Sequence, residues 1–363
     1  MKSVNFDDYN YFPTLRARQA ELRGLEMLDA DRKAKIMPIF TLGKWRNAMD
    51  FGRGAEKAQQ AMGDLPYFLD LTTDASHLPD QQKALRDRTG AFSAWRAFVA
   101  ECPNAIPIAQ MNSESGVRDI IKQGQEIERV WGRVAFRIRD FSAETPIVVN
   151  ALSALDNPRN AIVFIDCQYI REALAAYTTA SIHAINQIRS EFPEVVISVM
   201  ATSFPSSTIP FAEDEGKSRG SIGILERQLH ARIGGNTVAI YGDHGSIHSV
   251  VYDGMPAIMK VVPRIDYPRE LDWSFERRPK SKDLTEGYCS AAQAIVDSDN
   301  EIGTRNIWGE SMIVDTAGGR PFARAAGPWI SARVNIHLSR QIDFSAAIAN
   351  GAVNNGDDDE DSE

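Results

Sequence analysis

TVAIYGDHGSIHSVVYDGMPAIMKVVPRIDYPRELDWSFERRP, residues 237–279, is the stretch whose reading decides the fold. An apolar run, Val238-Ala239-Ile240-Tyr241, opens into Gly242-Asp243-His244-Gly245. A second, 258–265, opens into Asp266-Tyr267-Pro268. Each reads as a buried strand ending in a polar turn, where glycine admits backbone angles other residues avoid. Such turns are where α/β proteins build sites.

Working outward, the pattern repeats. Apolar runs at 37–42, 67–72, 106–111, 134–139, 161–166 and 195–201 precede these two. Helix-length segments separate most of them, at 47–62, 80–101, 117–130, 145–155, 169–191 and 220–233. Strand–helix alternation predicts a parallel sheet. Eight strands close a (β/α)8, TIM-like barrel. A doubly wound open sheet competes, but no GxGxxG follows the first strand. The link 246–257 is too short for a full helix, so irregularity is expected between strands seven and eight. Residues 11–28 start extended at Tyr11-Phe12-Pro13 and become an amphipathic helix with Leu15, Leu22, Leu25 and Leu28 on one face. Beyond Pro279, 285–296 reads as a helix, and 307–315 and 329–338 as extended or helical additions. The expected organisation is one barrel domain over 1–349, with a C-terminal extension (280–349) and a disordered acidic tail, 350–363.

The 363 residues are 43% hydrophobic and 25% charged, ordinary for a globular chain. A net charge of −9 argues against a generally basic nucleic-acid binder. Part of that charge lies in Asp357-Asp358-Asp359-Glu360-Asp361-Ser362-Glu363, a solubilising run. Cys102, Cys167 and Cys289 are widely spaced and form no CxxC pair. The N-terminus has no signal-peptide core, and no apolar run approaches the ~20 residues that span a bilayer. A soluble, cytoplasmic protein without membrane attachment is expected.

Side chains alternate across a strand. In 134–139, Val134, Phe136 and Ile138 share one face and belong against helices. Arg137 and Arg139 then point into the barrel or its mouth. Asp70, Asp166, Gln110 and Asp243-His244 close their strands, and Arg264 lies late in the eighth. In a barrel these positions converge at the C-terminal rim. A guanidinium there needs a carboxylate or a bound anion. Two readings stand: Arg137 and Arg139 pair internally with Asp70 and Asp166, or some of their donors serve a phosphate or carboxylate ligand. Asp70, Asp166, Asp243 and His244 are the catalytic candidates: Asp243-His244 is the acid/base pair, with His244 the proton carrier, and Asp70 and Asp166 would position or bind a cation. Arg137, Arg139, Gln110, Arg264 and Arg277 are the ligand-binding candidates. Among the histidines no HExxH or HxH spacing occurs, so no metal site is expected, and no cofactor is indicated. The Ser203–Ser207 hydroxyls lack a GxSxG elbow. Gly216-Lys217-Ser218 lacks the earlier glycine of a Walker A loop. Trp273, Phe275, Arg277 and Arg278 read either as a nucleic-acid contact or as a solvated edge hairpin.

Several short motifs occur in a telling order: Tyr11-Phe12-Pro13-x-Leu15-Arg16-x-Arg18-x-x-Glu21, Ile36-Met37-Pro38-Ile39-Phe40, Tyr241-Gly242-Asp243-His244, Pro263-Arg264-Ile265-x-Tyr267, Trp273-x-Phe275-x-Arg277-Arg278 and Val334-Asn335-Ile336-His337. The sequence resembles the phage beta protein family of prophages and satellite phages over about residues 11–342. The resemblance implies a phage-exclusion role beside a killing protein called Gop, with beta as a restraining or antiphage-defence partner. It carries over no catalytic residue. Thr41 stands where the resemblance leads one to expect a glutamate. Two functions follow: a defence or toxin-restraining protein that binds a partner or phosphate-bearing ligand, and a barrel enzyme acting on a phosphate ester or nucleotide.

Overall fold

The computed structural model describes residues 4–216, 218–249, 262–279 and 283–353. Eight parallel strands make one sheet. They are β1 (Tyr11–Arg16), β2 (Ile39–Leu42), β3 (Tyr67–Leu71), β4 (Ala105–Pro107), β5 (Val134–Ile138), β6 (Ala161–Tyr169), β7 (Val196–Thr202) and, after a hairpin strand β8 (Arg219–Gly223), β9 (Ile240–Asp243). The order is β4-β3-β2-β1-β9-β7-β6-β5. A parallel bridge from Ile108 to Ala135, with Ala109 N donating to Ala135 O at 2.8 Å, joins the two ends. The result is a TIM-like barrel wrapped in helices.

The pleat sorts the side chains into two cores. Leu15, Phe40, Leu69, Phe136, Val163 and Tyr241 face outward against the helices. Phe12, Ile39, Phe68, Ala135, Phe164 and Met200 fill the interior. Phe12, Phe68 and Phe164 meet near the barrel floor at ring separations of 5.1–6.3 Å, and Phe6 caps them from below at 5.6 Å from Phe68. Polar interior residues lie above this aromatic plug.

Amphipathic spacing forms the outer helices. In Val117–Trp131, Ile120, Gln123, Gly124 and Ile127 recur on the buried face, and Gly132, at φ 66°, ends the helix in the left-handed region. The Asp140 carboxylate accepts from Ala143 N and starts Phe141–Ser153. The helix of the last βα unit comes from far downstream. Ala326–Ala349 packs against Gln19–Glu26, and its Gln341 and Ser345 accept from Arg227 of Leu225–Arg232. It completes the ring between the first and seventh helices. Among the described residues, no helix is long and apolar enough to cross a membrane.

Three strand and helix assignments change. The sheet begins at β1, a stretch the periodicity reads mainly as helix; the helix itself is only Gln19–Glu26. Of the expected eighth strand, 258–261 lie outside the described residues. Its last two residues, Arg264 and Ile265, belong to β10 (Arg264–Pro268), which pairs antiparallel with β11 (Asp272–Arg277) and through it with β8, outside the barrel. The barrel keeps eight strands because β1 enters where the eighth would have stood. The expected helix over 220–233 begins as β8, and the pieces at 307–315 and 329–338 are both helical, within Trp308–Ala317 and Ala326–Ala349. The tail expected beyond Asn350 lies outside the described residues from 354 onward.

Candidate functional site

At the C-terminal rim, the successive strands β2 to β6 contribute a connected polar layer. Asp70 is the penultimate residue of β3 and Asp166 lies in the C-terminal half of β6; both are buried. Arg137 lies between them. Its Nη1 donates to Asp70 Oδ2 at 3.0 Å and to Thr41 Oγ1 at 3.2 Å, and its Nη2 and Nε donate to Asp166 Oδ2 at 2.8 and 3.1 Å. Arg139 donates to Asp70 Oδ2 at 2.5 Å. Gln110 Nε2 supports the other oxygen of Asp70 at 3.0 Å and is itself clamped by Gln123. His244 Nε2 lies 2.9 Å from Asp166 Oδ1.

The electrostatics follow from this wiring. Burial alone would raise Asp70, but Arg139 and Arg137 outweigh it and hold the carboxyl at about 2. Burial likewise opposes ionisation of Asp166, and Arg137 and His244 overcome it, keeping it well below the usual carboxylate range. Both carboxylates are therefore ionised, and the two arginines neutralise them.

This layer is the floor of an open pocket of about 280 Å³. Arg137, Arg139, Asp166 and His244 line it, together with Arg16, Arg18, His77 and His248, which the sequence pattern does not single out. Arg16 lies at the end of β1, and its Nη2 donates to Ser249 O at 3.0 Å and to His248 O. Arg137 is sealed, with 3% of its side chain exposed, whereas Arg139 is 23% exposed. Arg139 lines the pocket, and among the described residues no acceptor is recorded for its Nη1.

The other candidates lie elsewhere. Asp243 faces the opposite way from its neighbour His244, as strand alternation requires. It is buried between barrel and helices and accepts from Tyr11 Oη at 2.6 Å, Tyr241 Oη at 3.0 Å and Gly245 N at 2.8 Å. His337, on the C-terminal helix, lies 2.8 Å away. Burial would raise Asp243, but His337 and these hydrogen bonds hold it at about 2. Arg264 and Arg277 are opposed across the β10–β11 pair, away from the pocket lining. Arg264 pairs with Asp266 at 3.0 Å. Trp273 and Phe275 are buried in a small apolar cluster, and β11 is the central strand of its sheet, so the segment is no edge hairpin.

Beside the mouth is a carboxylate the sequence does not flag. Glu226 opens the helix Leu225–Arg232 and accepts from Ser203 N at 2.6 Å and from its hydroxyl. Burial drives it up to about 7 despite these bonds.

A family model described as Beta protein matches residues 11–343. Protein beta of Enterobacteria phage P4 is 43% identical over 350 residues, covering 96% of this chain and 97% of that protein. Both matches run from the first barrel strand into the last helix, so the whole scaffold just described is shared, and the chain belongs to the phage Beta protein family.

Proposed function

We propose that this chain is an antiphage-defence or toxin-restraining component of a mobile element, and that its barrel mouth takes an anionic group. That group is either a phosphate-bearing ligand or an acidic patch on a partner encoded beside it, a killing protein of the Gop kind. The observation that carries the reading is Arg139: half-buried, held by Asp70, and lining the same pocket as His244. A guanidinium fixed in this way meets an anion with little loss of side-chain freedom. The similarity to a phage protein supports the mobile-element setting. The test expresses wild type and Arg139→Ala beside the neighbouring gene, with phage plating and cell survival as readouts. Loss of at least ten-fold in protection, with melting temperature within a few degrees of wild type, is expected. Full protection by a folded Arg139→Ala protein would refute the role.

A second reading is favoured by one contact. His244 lies 2.9 Å from Asp166 in the open pocket, an orientation suited to proton transfer. On this reading the mouth is the centre of an enzyme acting on a phosphate ester or nucleotide, with Arg139 holding the anion and His244 moving the proton. Turnover of a generic phosphodiester that disappears in His244→Asn supports it; no turnover above the uncatalysed rate removes it.

A further inference from the structure

The mouth continues sideways into a second, larger groove of about 1200 Å³, and the two share Arg18 and His77. Its walls are the helix Gln19–Glu26, the loop after β2, and the start of the C-terminal helix. Five cationic side chains line it: Arg18, Arg23, Lys44, Arg46 and Lys57. Glu26 is the single carboxylate in that lining, and Arg23 already pairs with it at 3.5 Å. Among the described residues Lys44, Arg46 and Lys57 make no ion pair; Lys57 only donates to Gln60 at 2.6 Å. Trp45, half-buried, sits between Lys44 and Arg46 in the loop, and Phe322 lies in the same groove.

A positive groove on a chain of net charge −9 is a local feature, not a by-product of a basic surface. Cations alone would fit any polyanion. Aromatic rings among them add a demand that a free anion or a paired duplex does not meet, namely an exposed flat base. Single-stranded nucleic acid supplies both, phosphates for Lys44, Arg46 and Lys57 and a base for Trp45. We propose that this groove binds single-stranded DNA or RNA and leads its backbone toward the barrel mouth. The second half of the proposal, delivery of a phosphate to Arg139, rests on the anion-binding reading above. The groove itself does not.

Fluorescence anisotropy with a labelled fifteen-nucleotide oligo-dT and the matching oligo-U tests it on the full-length protein. For three phosphate contacts the single-strand slope of about −0.7 per contact gives roughly a 20-fold loss of affinity between 50 and 200 mM salt. Lys44→Glu combined with Arg46→Glu should weaken binding at least ten-fold and flatten that slope. Trp45→Ala should weaken binding several-fold and leave the slope unchanged, because a stacked base releases no counterion. Comparing the two labels shows whether DNA or RNA is preferred. Arg139→Ala separates the two readings: if it abolishes protection against phage yet binds the oligonucleotide as wild type does, the groove is a site in its own right. Equal affinity for duplex, no effect of either groove variant, or displacement of the oligonucleotide by an equal concentration of a peptide of residues 354–363 would overturn the proposal. The last outcome would make the groove a seat for the chain's own acidic end.

Discussion

At the scale of the residue, Arg137 and Arg139 show how two identical side chains two positions apart do different work. Arg137 is sealed between Asp70 and Asp166. Removing it takes away the buried cation both carboxylates share, leaving Asp70 to Arg139 and Asp166 to His244, so Arg137→Ala should lose about 3–5 kcal/mol in urea unfolding. Arg139 sits at the rim, where the lost pair is partly replaced by water, and Arg139→Ala should cost clearly less. Alternation in 134–139 is enough to place both guanidiniums inside. It does not separate the sealed one from the rim one, because that depends on how far β5 reaches beyond its neighbours. Asp243 was harder still to read. Its partner His337 lies 94 residues on, in a helix with no sequence link to the strand. Glu226 left no signal either, since its environment is made by the loop at Ser203. It gives a pH dependence with a definite sign. Its folded value of about 7 lies above the ordinary 4.5, so the folded state holds an extra proton between those values. Its contribution is complete below about pH 4.5 and is lost as pH rises through 7, to a total of about 3 kcal/mol. Glu226→Gln keeps an acceptor for Ser203 N, so its unfolding midpoint in urea should exceed that of wild type at pH 8 and approach it at pH 5.

At the scale of the element, β1 is the instructive case. Pro13 lies within a strand paired on both sides, and proline ordinarily argues against such a position. The register explains the tolerance. Residues 11–13 pair with β9 and residues 14–16 with β2, so Pro13 stands where one partnership hands over to the other. Leucines at helical spacing just downstream then drew the reading toward a helix. The parallel strands from β2 to β7 were legible because each carries its own apolar run and a helix of its own. The C-terminal helix is not legible as the eighth of the ring, since two antiparallel strands and two further helices intervene after β9. Its seat on Gln19–Glu26 is close. A Cβ on Gly24 would stand 2.8 Å from Ser331 O and 2.9 Å from Val334 Cβ. Gly24→Ala should therefore force the helices apart and lower stability by about 1–3 kcal/mol, measured by thermal or urea unfolding.

At the scale of the whole molecule, closure depends on the first sixteen residues. Without β1 the sheet has two open edges, on β2 and β9, each bordered by buried apolar side chains. A chain beginning at Gln19 should fail to fold and should aggregate, whereas removal of residues 354–363 should leave the unfolding midpoint unchanged; sedimentation and circular dichroism distinguish the outcomes. The overall charge, read as a single number, pointed away from nucleic acid. Such a number does not describe local charge: the fold gathers Arg18, the Lys44–Arg46 loop and Lys57 around one groove. Proximity of that kind is made by the barrel and is invisible to a count.

One peptide unit joins the pocket to the seat of the last helix. Asp243 grips the last helix while His244 reaches into the pocket, and the amide of Gly245 is tied to Asp243 at 2.8 Å. A cargo that stills the histidine must also still the backbone behind it, and with it the anchorage of the chain's final helix. The deuterium uptake of that one amide is accordingly a gauge of occupancy, readable before any cargo has been identified.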